Sequence, residues 1–88
     1  MASTFLTVTM TQQQSIASLR AGETGTITGY RTTDIPIKIY EMGLLPGQVL
    51  TLTQRLPFNG PVCVRVKNNP NSIALRATEA DLILIELK

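Results

Sequence analysis

The sequence predicts a mainly β domain, a small five-stranded antiparallel barrel with a short helix between its first two strands. Apolar residues make up 43% of the 88 residues, which suffices for one small core and no more. Short stretches of alternating apolar and polar residues, typical of half-buried strands, recur between turns rich in Gly, Pro and Asn. Closing so few short strands into a barrel removes the edges that they would otherwise expose.

The chain begins with a Thr- and Gln-rich segment, residues 1–14, in which three apolar residues alternate with threonine. We expect this segment to be either a frayed terminus or an added edge strand. Residues 15–88 are expected to form the folded domain. Its first element is predicted to be a short helical turn capped by the side chain of Ser15.

The first barrel strand is predicted at residues 23–30, where β-branched residues are interspersed with glycine. Residues 35–42 are ambiguous, because their isoleucines fit both a strand and a helix. Asp34 can act as an N-cap, and Gly43 suits the left-handed conformation that ends many helices. We therefore predict a short helix over residues 35–42, with Pro36 tolerated in its first turn.

Four more strands complete the predicted barrel, at residues 49–56, 62–67, 72–76 and 82–87. The first of them follows a tight turn through Pro46 and Gly47, residues that we expect, with Gly43, to shape the backbone. Phe58 is predicted at the tip of the next hairpin. Thr78 is expected to cap a single helical turn before the last strand.

The residue inventory argues against catalysis. The chain has no His and a single Cys, Cys63, so His-dependent nucleophile pairs, an intrachain disulfide and a Cys/His zinc site cannot form. The spacing of Gly22, Gly25 and Gly29 does not match a phosphate-binding loop. We interpret Cys63 as an ordinary residue on an outer strand face, and we expect neither enzymatic activity nor a cofactor.

Charge and hydropathy bear on location and partners. The net charge of +2 is weak evidence for nucleic-acid binding. No charged leader followed by an apolar stretch is visible, and no run is long enough to span a membrane. We therefore expect a cytoplasmic protein that is not itself membrane-spanning, and self-association is compatible with the sequence.

Several short motifs, taken in order, resemble those of the FeoA family. They are Leu19-x-x-Gly22, Gly25-x-Ile27, the stretch Ile-Tyr-Glu-Met-Gly-Leu-Leu-Pro-Gly at 39–47, the Gly60-Pro61 hairpin, Ile-Ala-Leu-Arg at 73–76 and the apolar segment after Ala80. The resemblance covers residues 15 to 87. It implies an SH3-like barrel and a cytosolic accessory protein of bacterial ferrous iron uptake, which acts with the FeoB membrane transporter and its GTP-binding domain.

The residues constrain how such a role could be performed. A chain without His and with scattered carboxylates is poorly equipped to carry Fe²⁺, so we expect contact with the transporter rather than tight iron binding. The predicted helix leaves apolar side chains off its core-facing stripe; they either cover an edge of the barrel or face a partner. The predicted partner-contact residues are Pro36, Ile37, Lys38, Tyr40 and Glu41.

Two other functions stay open. The same small barrel occurs as the terminal domain of iron-dependent repressors, so the chain could be a regulatory module that docks in trans on such a repressor. Alternatively, Arg55, Arg65, Lys67 and Arg76 are expected to project from neighbouring strands, as in a small nucleic-acid-binding barrel. These strand faces offer no aromatic side chains for base stacking, so a nucleic-acid partner is not expected.

Overall fold

The structure, a computed structural model, describes residues 14–87. Its elements are β1 (Gln14–Ser15), a 3-10 turn (Ile16–Ser18), β2 (Thr24–Tyr30), α1 (Ile37–Glu41), β3 (Val49–Arg55), β4 (Val62–Val66), β5 (Ser72–Leu75), α2 (Ala77–Leu82) and β6 (Ile83–Leu87). The expectation for residues 1–14 lies outside the described residues, except at Gln14.

The strands form one antiparallel sheet in the order β1-β6-β2-β3-β4-β5. The predicted count of five is wrong, because Gln14 and Ser15 add a sixth strand by pairing with Ile85 and Leu84. The predicted closure is also wrong at the level of hydrogen bonds. Within residues 14–87 the ladder is open, and β1 and β5 are its two edges.

Two irregularities bend the sheet around its core. The register shifts between Ile27 and Gly29 in β2 and between Leu52 and Gln54 in β3. An extra residue in one strand increases local twist and bends that strand. The buried hydrophobic side chains form a single cluster, made of Ile16, Leu19, Ile27, Ile39, Leu44, Leu50, Leu52, Val62, Val64, Val66, Leu75, Ala80, Ile83 and Ile85. It includes the apolar residues that alternate with polar ones along β3 and β4, namely Leu50, Leu52, Val62, Val64 and Val66.

The helical segments correct two predicted caps. α1 lies between β2 and β3 and begins later than predicted, with Pro36 rather than Asp34 as its N-cap. A proline disfavours the helical region for the residue before it, so the helix cannot extend back towards Asp34. Before α2 the N-cap is Arg76 rather than Thr78. The cap predicted at Ser15 is confirmed, since its hydroxyl accepts a hydrogen bond from a backbone N–H of the 3-10 turn.

Candidate functional site

α1 is anchored to the core at its centre and at its end. The side chains of Ile39 and Leu44 are completely buried. The N–H of Leu44 donates to the carbonyl oxygen of Ile39 at 3.2 Å, and the N–H of Gly43 donates to that of Tyr40 at 3.0 Å. With Gly43 at a φ of +84°, this pattern is a Schellman motif, completed by the apolar pair Ile39 and Leu44. The helix therefore ends in a fixed geometry.

Replacing Gly43 with alanine should destabilise the protein by about 1–2 kcal/mol, because an L-residue is strained in the left-handed region. A Cβ atom at this position would meet no atom within 4 Å, so the loss is conformational and not steric. The free energy of unfolding in urea measures it. Gly29→Ala is the control, since Gly29 has equal space and no left-handed φ. An equal loss in both variants would contradict this explanation.

The next turn fixes the chain after α1. The N–H of Gln48 donates to the carbonyl oxygen of Leu45 at 3.1 Å across Pro46 and Gly47. Gly47 has a φ of +93°, and proline followed by a left-handed glycine is typical of a type II turn. The N–H of Gly47 also donates to the carbonyl oxygen of Ile27 in β2 at 2.7 Å. Pro46 and Gly47 therefore form the turn, and Gly47 also connects it to β2.

Two tyrosines connect α1 to β2. The rings of Tyr30 and Tyr40 pack edge to face, with centroids 5.6 Å apart and an interplanar angle of 74°, an arrangement that aromatic pairs favour. The hydroxyl of Tyr30 donates to the carbonyl oxygen of Leu44 at 2.7 Å. Burial, and to a lesser degree the neighbouring Tyr40, raise the pKa of Tyr30. Its hydroxyl therefore stays protonated and remains a donor at neutral pH.

An ion pair connects α1 to α2. The ammonium of Lys38 contacts a carboxylate oxygen of Glu79, whose side chain is only 13% exposed. Burial by itself would raise the pKa of Glu79. The hydrogen bond from Lys38, the backbone N–H of Arg76 at 2.9 Å and the two nearby cations outweigh burial, so the pKa of Glu79 is lowered. Lys38, predicted as a partner-contact residue, is thus engaged within the molecule.

This arrangement predicts a pH dependence. A carboxylate whose pKa is lower in the folded state stabilises the protein fully above its unfolded pKa of about 4.3, and the stabilisation fades as pH falls through the folded value. Near neutral pH, Glu79→Gln should therefore unfold at a lower urea concentration than the wild type, and this difference in urea midpoint should become smaller in acid. When Lys38→Met is already present, adding Glu79→Gln should lower the urea midpoint by less. A difference in midpoint that grows on acidification would contradict the assignment.

The side of α1 that faces away from the buried Ile39 is exposed to solvent. Ile37 is 72% exposed and Tyr40 is 43% exposed, and Pro36 and Glu41 are also exposed. Residues three and four apart share one side of a helix, which places Ile37 beside Tyr40 and Glu41. We call Pro36, Ile37, Tyr40 and Glu41 the α1 surface. Four of the five predicted contact residues thus lie together, while the head group of Lys38 turns to α2.

Sequence reasoning missed Leu45, which follows the Schellman motif and is also exposed. Its neighbour Leu44 occupies the buried position of that motif, so only one residue of the Leu-Leu pair can face inward. The motif positions could have identified Leu45 as the outward member. An apolar residue in the turn after α1 adds to the exposed hydrophobic side chains of this region.

Other predicted features have structural explanations. Arg55 does not simply project outward, because its guanidinium donates to the carbonyl oxygens of Ala17 and Leu19. Cys63 is a partly buried free thiol on β4. Residues 14–87 contain no cluster of three His, Cys, Asp or Glu side chains that could hold a metal ion. None of the helices described is long and apolar enough to cross a bilayer.

A bent antiparallel sheet around one aliphatic core, with a firmly anchored helix that exposes apolar side chains, defines a small mainly β domain. The comparison with known families identifies which one. The FeoA domain model matches residues 14–87, and the chain belongs to the FeoA family, whose members are accessory proteins of ferrous iron transport. The family resemblance read from the motifs is confirmed.

Solved structures agree on the fold. A FeoA-like protein from Clostridium acetobutylicum is 22% identical, with a TM-score of 0.72 over 85% of this chain and 86% of that one. Zinc-complexed FeoA from Stenotrophomonas maltophilia, described as an SH3 domain protein, is 18% identical, with a TM-score of 0.68 over 83% and 89%. A manganese-dependent transcriptional repressor is 19% identical, with a TM-score of 0.78 over 88% of this chain and 37% of the repressor. No curated protein sequence matched.

Proposed function

We propose that the protein is a cytoplasmic accessory component of bacterial ferrous iron uptake and acts by binding a FeoB-type membrane transporter through the α1 surface. Membership of the FeoA family supports a role in ferrous iron uptake. The observation that carries the contact is Ile37, a large aliphatic side chain that is 72% exposed on a helix whose other side is buried. Iron is the cargo of the transporter in this proposal, and the accessory chain does not hold it.

The α1 surface has the composition and rigidity of a binding surface. Exposed apolar and aromatic side chains, Ile37 and Tyr40, lie beside a charged Glu41, much as interface centres are flanked by polar rims. The Schellman motif, the tyrosine pair and the Lys38–Glu79 ion pair hold the helix in place before any partner arrives. A preformed surface loses little conformational entropy on binding.

Within the transporter, we propose that the GTP-binding domain is the part contacted. A pull-down with that domain alone and with the intact transporter, each in the GTP and GDP states, tests this assignment. Retention by both in at least one nucleotide state is the expected result. Retention by the intact transporter alone would indicate that the contact lies in a part of the transporter outside the GTP-binding domain. Retention by neither, in any nucleotide state, would contradict the proposed function.

A second candidate is a regulatory module that docks in trans on a metal-dependent repressor. The similarity in fold to the manganese-dependent repressor favours it, with a TM-score of 0.78. In that case the protein should bind purified repressor and compete with the repressor's own terminal domain. Binding to the repressor, combined with no binding to the transporter, would select this alternative.

A further inference from the structure

A second surface lies mainly on the outer face of the sheet and reaches the edge of the core at Val66. It is an open groove of about 730 Å³ that follows β3 and β4 and ends at the turn after β4. Its lining residues are Thr24, Val49, Thr51, Thr53, Arg65, Val66, Lys67, Asn68, Asn69 and Pro70. We call this cavity the β3–β4 groove. Its volume lies in the range of ligand-binding clefts, roughly 300–1,000 Å³.

The strand register builds a polar row across the groove. Thr24 pairs with Thr51, Thr51 with Arg65, and Arg65 with Ser72. The hydroxyls of Thr24 and Thr51 lie 2.9 Å apart and share one hydrogen bond. This bond uses one of the two O–H donors, and each hydroxyl oxygen keeps at least one lone pair that can accept another hydrogen bond. The floor of the groove therefore offers hydroxyl groups on one side and a guanidinium on the other.

The charge of the groove is positive and uncompensated. Arg65 and Lys67 are its only ionisable lining residues, and no carboxylate lines it. The ion pairs formed within residues 14–87 are Arg31–Asp81 and Lys38–Glu79, so neither groove cation is paired there. Residues 1–13 contain no Asp or Glu, so that segment cannot supply a neutralising side chain either. Two adjacent cations without acidic neighbours attract an anionic ligand.

We propose that the β3–β4 groove binds an acidic, extended segment of a partner protein. Arg65 lies on β4, and Lys67 directly follows the last residue of that strand, with its backbone N–H still donating to the carbonyl oxygen of Val49 at 2.8 Å. Two positions of extended chain span about 7 Å, which is the repeat between alternate side chains of an extended peptide. Carboxylates at alternate positions would match both cations at once. The side-chain oxygen of Asn69 accepts a hydrogen bond from the N–H of Asn71 at 3.0 Å. Its NH₂ group and the side-chain amide of Asn68, both at the end of the groove, can hydrogen-bond to a peptide backbone.

Two competing ligands fit the groove less well. Single-stranded nucleic acid is held largely by stacking of bases on aromatic side chains, and no aromatic residue lines the groove. A single small anion is held best by cations that converge on one point, whereas Arg65 and Lys67 lie one after the other along an open surface. The groove and the α1 surface are also built from different elements, so this inference does not depend on the proposed function.

The test uses a short fluorescent peptide with glutamate at alternate positions and a matched peptide with glutamine instead. Fluorescence anisotropy should show binding of the glutamate peptide only, weakened by added salt. Arg65→Gln combined with Lys67→Gln should weaken binding about tenfold or more. The charge-matched control, Arg20→Gln with Arg76→Gln, removes two cations outside the groove and should bind nearly as well as the wild type.

Three outcomes would overturn the proposal. They are equal binding of the glutamine peptide, an equal loss in the control variant, and tighter binding of oligo-dT or inorganic phosphate than of the glutamate peptide. Because Arg65 is exposed, its substitution should leave the melting temperature unchanged, and Arg65→Lys should retain binding. Ile37→Glu should bind the acidic peptide normally, which separates this test from that of the transporter contact.

Discussion

Replacing Ile37 with glutamate should weaken binding to the GTP-binding domain of the transporter about thirtyfold or more, the loss typical of a central interface residue. The change removes the more exposed of the two large hydrophobic side chains on the α1 surface and places a charge where the contact must exclude water. Burying an unpaired charge is strongly unfavourable. Because Ile37 is 72% exposed, folding should not suffer. Biolayer interferometry measures the affinity, and thermal unfolding checks the fold.

Phe58→Glu is the matched control. Phe58 lies at the tip of the hairpin between β3 and β4 and is 98% exposed, so this variant also exchanges a large exposed hydrophobic side chain for a carboxylate. It lies outside the α1 surface, and its affinity for the transporter domain should stay close to that of the wild type. Equal losses in Ile37→Glu and Phe58→Glu would indicate a general effect of charge and contradict a specific contact through α1.

The second large effect is on stability. Ile39→Ala should lower the free energy of unfolding by about 2–5 kcal/mol, because it removes methylene groups from a fully packed site and leaves a cavity. Ile39 is completely buried, and its carbonyl oxygen accepts the hydrogen bond that closes the Schellman motif. Urea unfolding measures the loss, and Ile39→Val should show about 0.5–1.5 kcal/mol.

A loss below that of the valine variant would mean that α1 is not anchored through Ile39. The contrast with Ile37 is informative, because the two residues lie two positions apart on one short helix. Ile39→Ala is expected to change stability first and binding only as a consequence, whereas Ile37→Glu is expected to change binding alone. Together the two variants separate the anchored side of α1 from its free side.

Alternation predicted the strands well where one face is buried. The apolar members of the alternating stretches on β3 and β4 all belong to the core: Leu50, Leu52, Val62, Val64 and Val66. A strand of two residues leaves no such pattern, so β1 could not be read from the sequence. It depends on pairing with β6, which begins almost seventy positions later along the chain.

The N-cap predictions for α1 and α2 were wrong for local reasons. Asp34 is a good cap by residue type, but the restriction that Pro36 places on the residue before it delays the start of α1. At α2 the carboxylate of Glu79 reaches back to the backbone N–H of Arg76, so the cap needs no side-chain acceptor at its first position. Residue preferences rank candidate caps, and the geometry of neighbouring residues selects among them.

The candidate sites were predictable to different degrees. The apolar side of α1 follows from helical periodicity once the helix is placed, so Ile37 and Tyr40 could be predicted. The partner of Lys38 is on α2, and the guanidinium of Arg55 binds carbonyl oxygens near the 3-10 turn. Such contacts join residues far apart in sequence. The β3–β4 groove likewise requires the register of several strands, which no local pattern specifies.

The most direct test of the central claim is an NMR titration of the isotopically labelled protein with the GTP-binding domain of the transporter. A contact through the α1 surface predicts that the largest changes in amide signals occur at residues 37–41 and Leu45, with little change at the hairpin tip around Phe58. Saturable changes confined to the hairpin or to the β3–β4 groove, or no change in either nucleotide state, would contradict the claim.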